Sequence, residues 1–318
     1  MAVDAGILLK ELDDNWRQLG KDEGSGVLRA CAMTLIVVVG EGIDAQALGV
    51  TLADIMHEHP NRTIVLRVGE HGDVEARANL QCWMPFGGRQ QICCEQIEIS
   101  ASLATLGAVP PVLFGLMVAD LPVAVWCPDL RLANLPELRP VLKLAGKVMV
   151  DSSPLLDMRV ALPALQSLSG GPWRLADLAW TRATRWRETV AHLASTEGWS
   201  RADEVEIAWA GEGVPPAVAY VGAWLQPERL TLRCEVPQMP EAGVGRIRSL
   251  RVTAKGRQVV LRREGTGVAI EIEGLRTGMV FPLLCDAGLL HEELGVFGVD
   301  AKYEAALQGV PEVLDACS

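Results

Sequence analysis

The stretch "MTLIVVV", residues 33–39, decides the fold class. It is short, uncharged and largely β-branched, the pattern of a strand buried on both faces of a parallel sheet. Residues 44–58 carry a helical pattern that Pro60 stops, and "TIVLRV" (63–68) is a second apolar strand. A strand, a helix and another strand in succession predict an α/β layer structure. The next segment changes period. In "DVEARANLQCWM" (73–84), Val74, Ala76, Ala78, Leu80, Cys82 and Met84 alternate with mostly polar residues. Pro85-Phe86-Gly87-Gly88 then turns the chain into "QQICCEQIEIS". Residues 73–99 are therefore expected to form an antiparallel hairpin inserted into the α/β domain.

The remaining elements follow outward from this centre. Residues 4–19 place Leu8, Leu12, Trp16 and Leu19 on one helical stripe, and "GKDEGSG" (20–26) is a break. Downstream, the pattern predicts a helix over 101–118, a strand "PVAVWC" (122–127), a helix near 134–145, a strand "KVMVD" (147–151) and a helix near 155–168. "SLSGGP" (167–172) marks a domain boundary. Beyond it lie a helix over 181–195, a strand "EVEIAWA" (204–210) and a helix near 215–226. Four short strands at 229–236, 246–254, 257–263 and 267–273 precede a tail, 284–310, that is helical in part. The expected fold class is α/β (mixed α+β) in two domains. An N-terminal helix and linker (1–26) lead into an α/β domain with the inserted hairpin (27–170). An α+β domain with an antiparallel meander (171–318) follows.

Composition narrows the function. An apolar content of 49% in 318 residues and a mean hydropathy of +0.21 describe a folded chain with sizeable cores. The longest apolar candidate, residues 102–126, is interrupted by Pro110, Pro111, Asp120 and Pro122, short of the roughly 20 uninterrupted residues of a membrane span. The start, "MAVDAGILLKELDDNW", lacks the basic, compactly apolar pattern of a signal peptide. A cytoplasmic protein with no membrane association is expected. A net charge of −11 argues against a nucleic-acid partner, because backbone phosphates are repelled.

Signatures of catalysis and of cofactor binding are not found. There is no GxxxxGK[ST], no GxGxxG between a strand and a helix, and no GxSxG. "HEHP" (57–60) sets two histidines at i and i+2, which point to different faces of a helix, so it reads as a helix end rather than a metal pair. No metal, cofactor or catalytic residue is assigned. The eight cysteines include no CxxC, and most lie in apolar runs where a thiol acts as a small hydrophobe. If the hairpin pairs as its turn suggests, Cys82 and Cys93 share a face; with Cys317, near the chain end, they are the candidate redox positions. Arg246, Arg248, Arg251, Lys255, Arg257, Arg262 and Arg263 concentrate in 18 residues of an acidic chain. They form either a solvated sheet face or a site for an acidic partner or phosphorylated ligand.

The densest aromatic and cationic segment is "DLAWTRATRWRETVAHLAS" (177–195). At helical spacing Ala183, Trp186, Val190, Leu193 and Ala194 share one face, so Trp186 is expected in the core. Arg182 and Arg185 flank that stripe on one side and Arg187 on the other. Trp180, Trp186 and these arginines are candidate partner or ligand contacts, together with Arg246, Arg248 and Arg251.

Several segments, in order, resemble the OpcA family of glucose-6-phosphate dehydrogenase assembly proteins. "RACAMTLIVVV" is similar to the family's first strand, "HEHPNRTIVLRV" to its HPxR-plus-strand segment and "LPVAVWCPD" to its Leu-Pro strand ending in tryptophan. "KVMVDSS" resembles its strand ending in Asp-Ser-Ser, and "DLAWTRATRWRE" its Asp-Leu-x-Trp-x-Arg…Trp-Arg segment. The matching positions are His59, Pro60, Arg62, Trp126, Asp151, Ser152, Ser153, Trp180, Arg182, Trp186 and Arg187. The chain departs from the family at Ala183 and Arg185, where leucine and proline are frequent, and at Cys127, where a second aromatic is frequent. The resemblance implies a non-catalytic factor that binds glucose-6-phosphate dehydrogenase, promotes its active oligomer and so serves the oxidative pentose phosphate route. The alternative is a sugar-phosphate- or nucleotide-binding protein, or an unrecognised enzyme, with an arginine-lined site. Thiol redox control acting on the same partner is compatible with the first of these readings, as a modifier of it.

Overall fold

A computed structural model describes residues 3–22, 27–70, 72–84, 91–235 and 245–316. The chain divides into two compact units, each assembled from three segments. The first unit holds residues 1–150, 166–176 and 286–297; the second holds 151–165, 177–285 and 298–318.

The first unit is built on one sheet. Helix α1 (Ala5–Asp22) leads to the short β1 (Val27–Arg29), and then to β2 (Met33–Gly40), α2 (Ala45–Glu58) and β3 (Asn61–Gly69). The hairpin strands are β4 (Glu75–Trp83) and β5 (Gln91–Ser102), followed by α3 (Val109–Leu116) and β6 (Val123–Cys127). Two single-turn helices, α4 (Leu130–Ala133) and α5 (Arg139–Leu142), precede β7 (Lys147–Val150). Helix α6 (Met158–Ser169) then runs to β8 (Arg174–Asp177). The main path across the sheet is β5-β3-β2-β6-β7-β8, and β5-β3, β3-β2, β2-β6 and β6-β7 all pair parallel. By order of appearance this is third-second-first-fourth-fifth-sixth, the doubly wound arrangement in which the winding reverses between the first and fourth strands, here β2 and β6. Strand β2 sits at that reversal with Leu35, Ile36, Val37 and Val38 fully buried. A strand covered on both faces has no use for alternation, and "MTLIVVV" has none.

The hairpin is present: β4 and β5 pair antiparallel from Glu75↔Ser100 to Trp83↔Ile92. Its Pro85–Gly88 turn lies outside the described residues. Two expectations are corrected and one strand is added. Residues 101–118 are not one helix, since β5 runs through Ser102 and α3 begins only at Val109, with Pro110 and Pro111 in its first turn. The helix near 134–145 is broken, because Pro136 and Pro140 each open a new short turn. Strand β8 arises in a Trp-Arg-Leu-Ala-Asp segment too short to show a period.

The second unit carries a separate sheet. Helices α7 (Leu178–Arg182) and α8 (Thr184–Glu197) precede β9 (Glu204–Ala210), α9 (Pro216–Leu225) and β10 (Arg229–Glu235). Strands β11 (Ile247–Ala254), β12 (Arg257–Glu264), β13 (Gly267–Ile272) and β14 (Leu275–Val280) follow. Helix α10 (Asp286–Leu294) returns to the first unit, and α11 (Ala301–Asp315) belongs to the second. The sheet order is β10-β9-β11-β12-β13-β14. The antiparallel meander runs from β11 to β14. Strand β10 is not part of it: it pairs parallel with β9, its crossover made by α9. The expected helix over 181–195 is two helices meeting at Ala183. Strand β14 escapes sequence reading because all six of its residues are exposed, leaving no apolar alternation to detect.

Candidate functional site

In the first unit the family-motif positions serve an ion network. Arg62, on β3, is 6% exposed and Glu95, on β5, is 4% exposed. The Arg62 Nε donates to Glu95 Oε2 at 2.6 Å and its Nη1 to the Leu116 carbonyl at 2.5 Å. Glu95 Oε1 accepts from the Trp16 indole at 2.8 Å and meets Arg29 at 2.5 Å. Every oxygen of the carboxylate is thus used, which is what a buried charge requires. Trp126 is buried, and its ring N–H has no partner among the described residues. His59 caps α2, and the Pro60 carbonyl accepts from Ala32 N at 2.7 Å. The neighbour of His59 is not His57 but His291 of α10, with ring centroids 5.2 Å apart. Glu58, His59 and His291 bring three donor atoms within 4.8 Å of one another. Two imidazoles and a carboxylate could hold a divalent cation, and only the tertiary fold reveals the grouping.

A further signal lies at the end of β2. Gly40-Glu41-Gly42-Ile43-Asp44-Ala45 links a strand to a helix with G-x-G-x-x-A spacing, a variant that dinucleotide-binding turns accept. The search for GxGxxG alone passes over it. The helix end is already supplied with an anion, because Asp44 Oδ1 accepts from Gln46 N at 2.8 Å and Ala47 N at 3.2 Å. A phosphate placed there would meet a like charge.

Cys82 and Cys93 stand directly opposite each other on β4 and β5, with Cα atoms 4.1 Å apart, and are joined by a disulfide. Burial pushes the neighbouring Cys94 thiol up to about 11. Cys317 lies outside the described residues.

In the second unit Asp177 and the helix it caps organise the core. Asp177 is fully buried and accepts from Ser152 N, Ala179 N and the Tyr220 hydroxyl, at 2.9, 3.0 and 2.8 Å; the Ser152 hydroxyl donates to it as well. Burial, followed by the nearby Asp151 charge, raises its carboxyl from the usual 3.8 to about 6. Trp180 and Tyr220 meet edge-to-face, with centroids 5.9 Å apart, and Tyr303 closes the cluster. The Trp180 indole donates to Asp300 at 2.8 Å. Arg187 lies over the Trp180 ring at 3.4 Å and donates to Thr184 Oγ1 at 2.9 Å. Both residues are thereby engaged in the core of the unit.

The other arginines of that helical segment reach a cavity of about 330 Å³. Arg182, Arg185, Arg246 and Arg263 line it, with Asp151 the single carboxylate among the described residues. Arg182 Nη1 donates to Asp151 Oδ2 at 2.7 Å and to Ser153 Oγ at 3.2 Å. Trp186 is 3% exposed and meets Phe281 edge-to-face at 5.3 Å, giving the cavity an aromatic wall. The Arg263 guanidinium lies 5.7 Å from the Trp186 ring and 5.6 Å from the Phe281 ring. Its Nη1 donates to the Phe281 carbonyl at 3.2 Å, and its buried Nε has no hydrogen-bond partner among the described residues. Burial, and then the charges of Arg246 and Arg248, hold its pKa below the usual arginine value. Gly245 opens β11 at φ +75°, where a Cβ would come within 2.9 Å of Leu156, so glycine shapes this rim.

The structure brings Arg182, Arg185, Trp186, Arg246, Asp151 and Ser153 together, and leaves Arg251 apart, paired with Glu206 at 2.5 Å. Arg248 does not line the cavity. Within the basic run, Arg257 pairs with Glu197 and Glu273. Phe281 and Ala217 complete the cavity from outside any segment that sequence reading singled out. Among the described residues no helix is long and apolar enough to cross a membrane.

These features describe a two-unit α/β protein with a doubly wound sheet and a cationic cavity. Its residues 52–167 match the glucose-6-phosphate dehydrogenase subunit N-terminal domain family, and residues 174–307 match the corresponding C-terminal domain family. The chain belongs to the OpcA family of glucose-6-phosphate dehydrogenase assembly proteins. It is 31% identical over 147 residues to the OxPP cycle protein OpcA of Synechocystis sp., covering 45% of this chain and 31% of that one. For the Synechococcus elongatus OpcA the values are 25% over 202 residues, 59% and 44%. The chain thus matches less than half the length of these curated relatives. Among solved structures it is similar to the 3-ketoreductase KijD10 of Actinomadura kijaniata, at 9% identity and a TM-score of 0.48, covering 87% of this chain and 95% of that one. A biliverdin reductase of Synechocystis sp. has 11% identity and a TM-score of 0.45, covering 89% and 97%. At that level neither neighbour's activity transfers.

Proposed function

We propose that this protein is a non-catalytic subunit that binds glucose-6-phosphate dehydrogenase and favours its active oligomer. The observation that carries the reading is the ordered match of both halves of the chain to the two domains of a glucose-6-phosphate dehydrogenase subunit family. The placement of the motif residues supports it. Arg62 and Ser152 are engaged in buried networks with Glu95 and Asp177, and Trp180 and Arg187 in an aromatic cluster, as befits a rigid binding body. Such a subunit shifts its partner toward the active form only by its differential affinity for that form. The role places it in the cytoplasm, in the oxidative pentose phosphate route.

Purified chain mixed at micromolar concentration with the dehydrogenase of the same organism is expected to change the enzyme's oligomer distribution and its KM or kcat, while showing no dehydrogenase activity alone. No change in mass distribution or kinetics, under reducing and oxidising conditions alike, removes the proposal. Thiol control of the same association is a secondary reading, favoured by the Cys82–Cys93 disulfide. It is abandoned if the redox sensitivity of activation is the same in the Cys82→Ser and Cys317→Ser variants as in the parent.

A further inference from the structure

The cavity of the second unit carries a surplus of positive charge among the described residues. Four arginines face it, and the one carboxylate among its described lining residues, Asp151, is already engaged with Arg182 and with the Ser153 amide. The surplus is local, in a chain whose net charge is −11. Burial, and after it the charges of Arg246 and Arg248, hold the Arg263 pKa down. Its Nε is buried without an acceptor among the described residues, a donor that ordinarily costs stability unless something accepts from it. Arginine elsewhere in the unit is treated differently: Arg251, Arg257 and Arg276 all reach carboxylates. The guanidinium groups of Arg185 and Arg246 reach none among the described residues.

The chemistry of the walls narrows the missing anion. Several guanidinium forks converging on one space suit a phosphoryl group better than a single carboxylate, since a dianionic phosphate offers three acceptor oxygens to planar donor pairs. Trp186 and Phe281 add an apolar, aromatic part to the lining, against which the carbon face of a ring can lie. A volume of about 330 Å³ lies at the lower end of small-molecule sites, a space for one ring and one phosphate rather than for a dinucleotide. Arg182 is preset by Asp151 and Ser153, so one donor is ordered before a ligand arrives.

We propose that this cavity binds a small phosphate monoester, with the phosphoryl group held by Arg185, Arg246 and Arg263 and the carbon framework lying against Trp186 and Phe281. The site is independent of the partner reading, and it gives the subunit a place to sense a phosphorylated metabolite by itself.

The test uses the full chain without any dehydrogenase. Isothermal titration with glucose 6-phosphate, fructose 6-phosphate, glucose and inorganic phosphate, at constant ionic strength, is expected to show saturable binding of at least one sugar phosphate at or below about 1 mM. Glucose is expected not to bind, and inorganic phosphate to bind more weakly than the ester. Arg185→Ala and Arg246→Ala, both exposed at the cavity rim, are each expected to weaken binding about tenfold or more, the loss of one charge-assisted contact. Arg251→Ala, outside the cavity, is expected to leave it unchanged. Absence of saturable binding by both sugar phosphates overturns the proposal, as does binding indifferent to Arg185→Ala and Arg246→Ala. Equal affinity for inorganic phosphate and the esters reduces the site to an adventitious ion only and overturns it too. A chain that fails here yet still alters the dehydrogenase leaves the partner reading intact.

Discussion

The Arg62–Glu95 network of the first unit and the arginine cavity of the second use the same residue type to opposite ends. In the network two arginines and an indole converge on one buried carboxylate, and each of its oxygens is satisfied. In the cavity four arginines line open volume with one carboxylate among the described residues, and that one is paired with Arg182. The first arrangement is closed, so its arginines serve stability. The second is open, so its arginines carry little stability and are available to something else. Charge closure, rather than the presence of arginine, separates a structural site from a binding site.

The comparison fails most clearly if breaking the network is cheap. Arg62→Ala leaves Glu95 buried with only a half-exposed arginine, and is expected to cost about 3–5 kcal/mol by urea denaturation. Arg246→Ala is expected to change stability by no more than about 0.5 kcal/mol; equal losses in the two variants would dissolve the distinction. Next in size is the Asp177 centre. Between pH 3.8 and about 6 the folded Asp177 is protonated while the unfolded one is not, so the folded state binds the extra proton and stability falls as pH rises through that window. The total is about 3 kcal/mol. Asp177→Asn keeps an oxygen for the Ser152 and Ala179 amides, and is expected to flatten that fall in denaturation midpoints measured from pH 4 to 7. Arg187→Ala is expected to cost roughly 1–2 kcal/mol through loss of the contact over Trp180, accompanied by a change in tryptophan emission. Smallest, together with Arg246→Ala, is Arg251→Ala, about 0.5 kcal/mol for a half-exposed pair. A larger loss would show that closure matters even at the sheet surface.

Local features of this fold were legible in the sequence and long-range ones were not. "MTLIVVV" announced a doubly covered strand because its environment is uniform on both sides. The β4 alternation announced a hairpin because only one face is apolar. The helix expected over 181–195 split at Ala183 without a proline or glycine to mark the break. The parallel placement of β10 beside β9 is a crossover decision invisible within either strand. The same limit applies to function. Trp186, Arg182 and Arg185 could be read off one helical segment, and Arg246 off one basic run. Their meeting, with Phe281 in the same lining, depends on segments roughly 30 to 100 residues apart. Glu95 gave no signal, since a lone acidic residue in a strand ordinarily reads as solvent-facing, and Asp177 was visible only as the first letter of a motif, not as a buried carboxylate.

The Asp44 cap has a consequence in thermodynamic linkage. A helix end that waits for a phosphate makes the fold around it stiffen or loosen with the concentration of that ligand. Here the chain supplies its own counter-ion through two amide contacts, so the β2–α2 corner stands at full strength whatever the metabolite pool contains. That corner is therefore expected to be insensitive to phosphate, and phosphate-dependent stiffening of this protein is expected to centre on the cavity of the second unit.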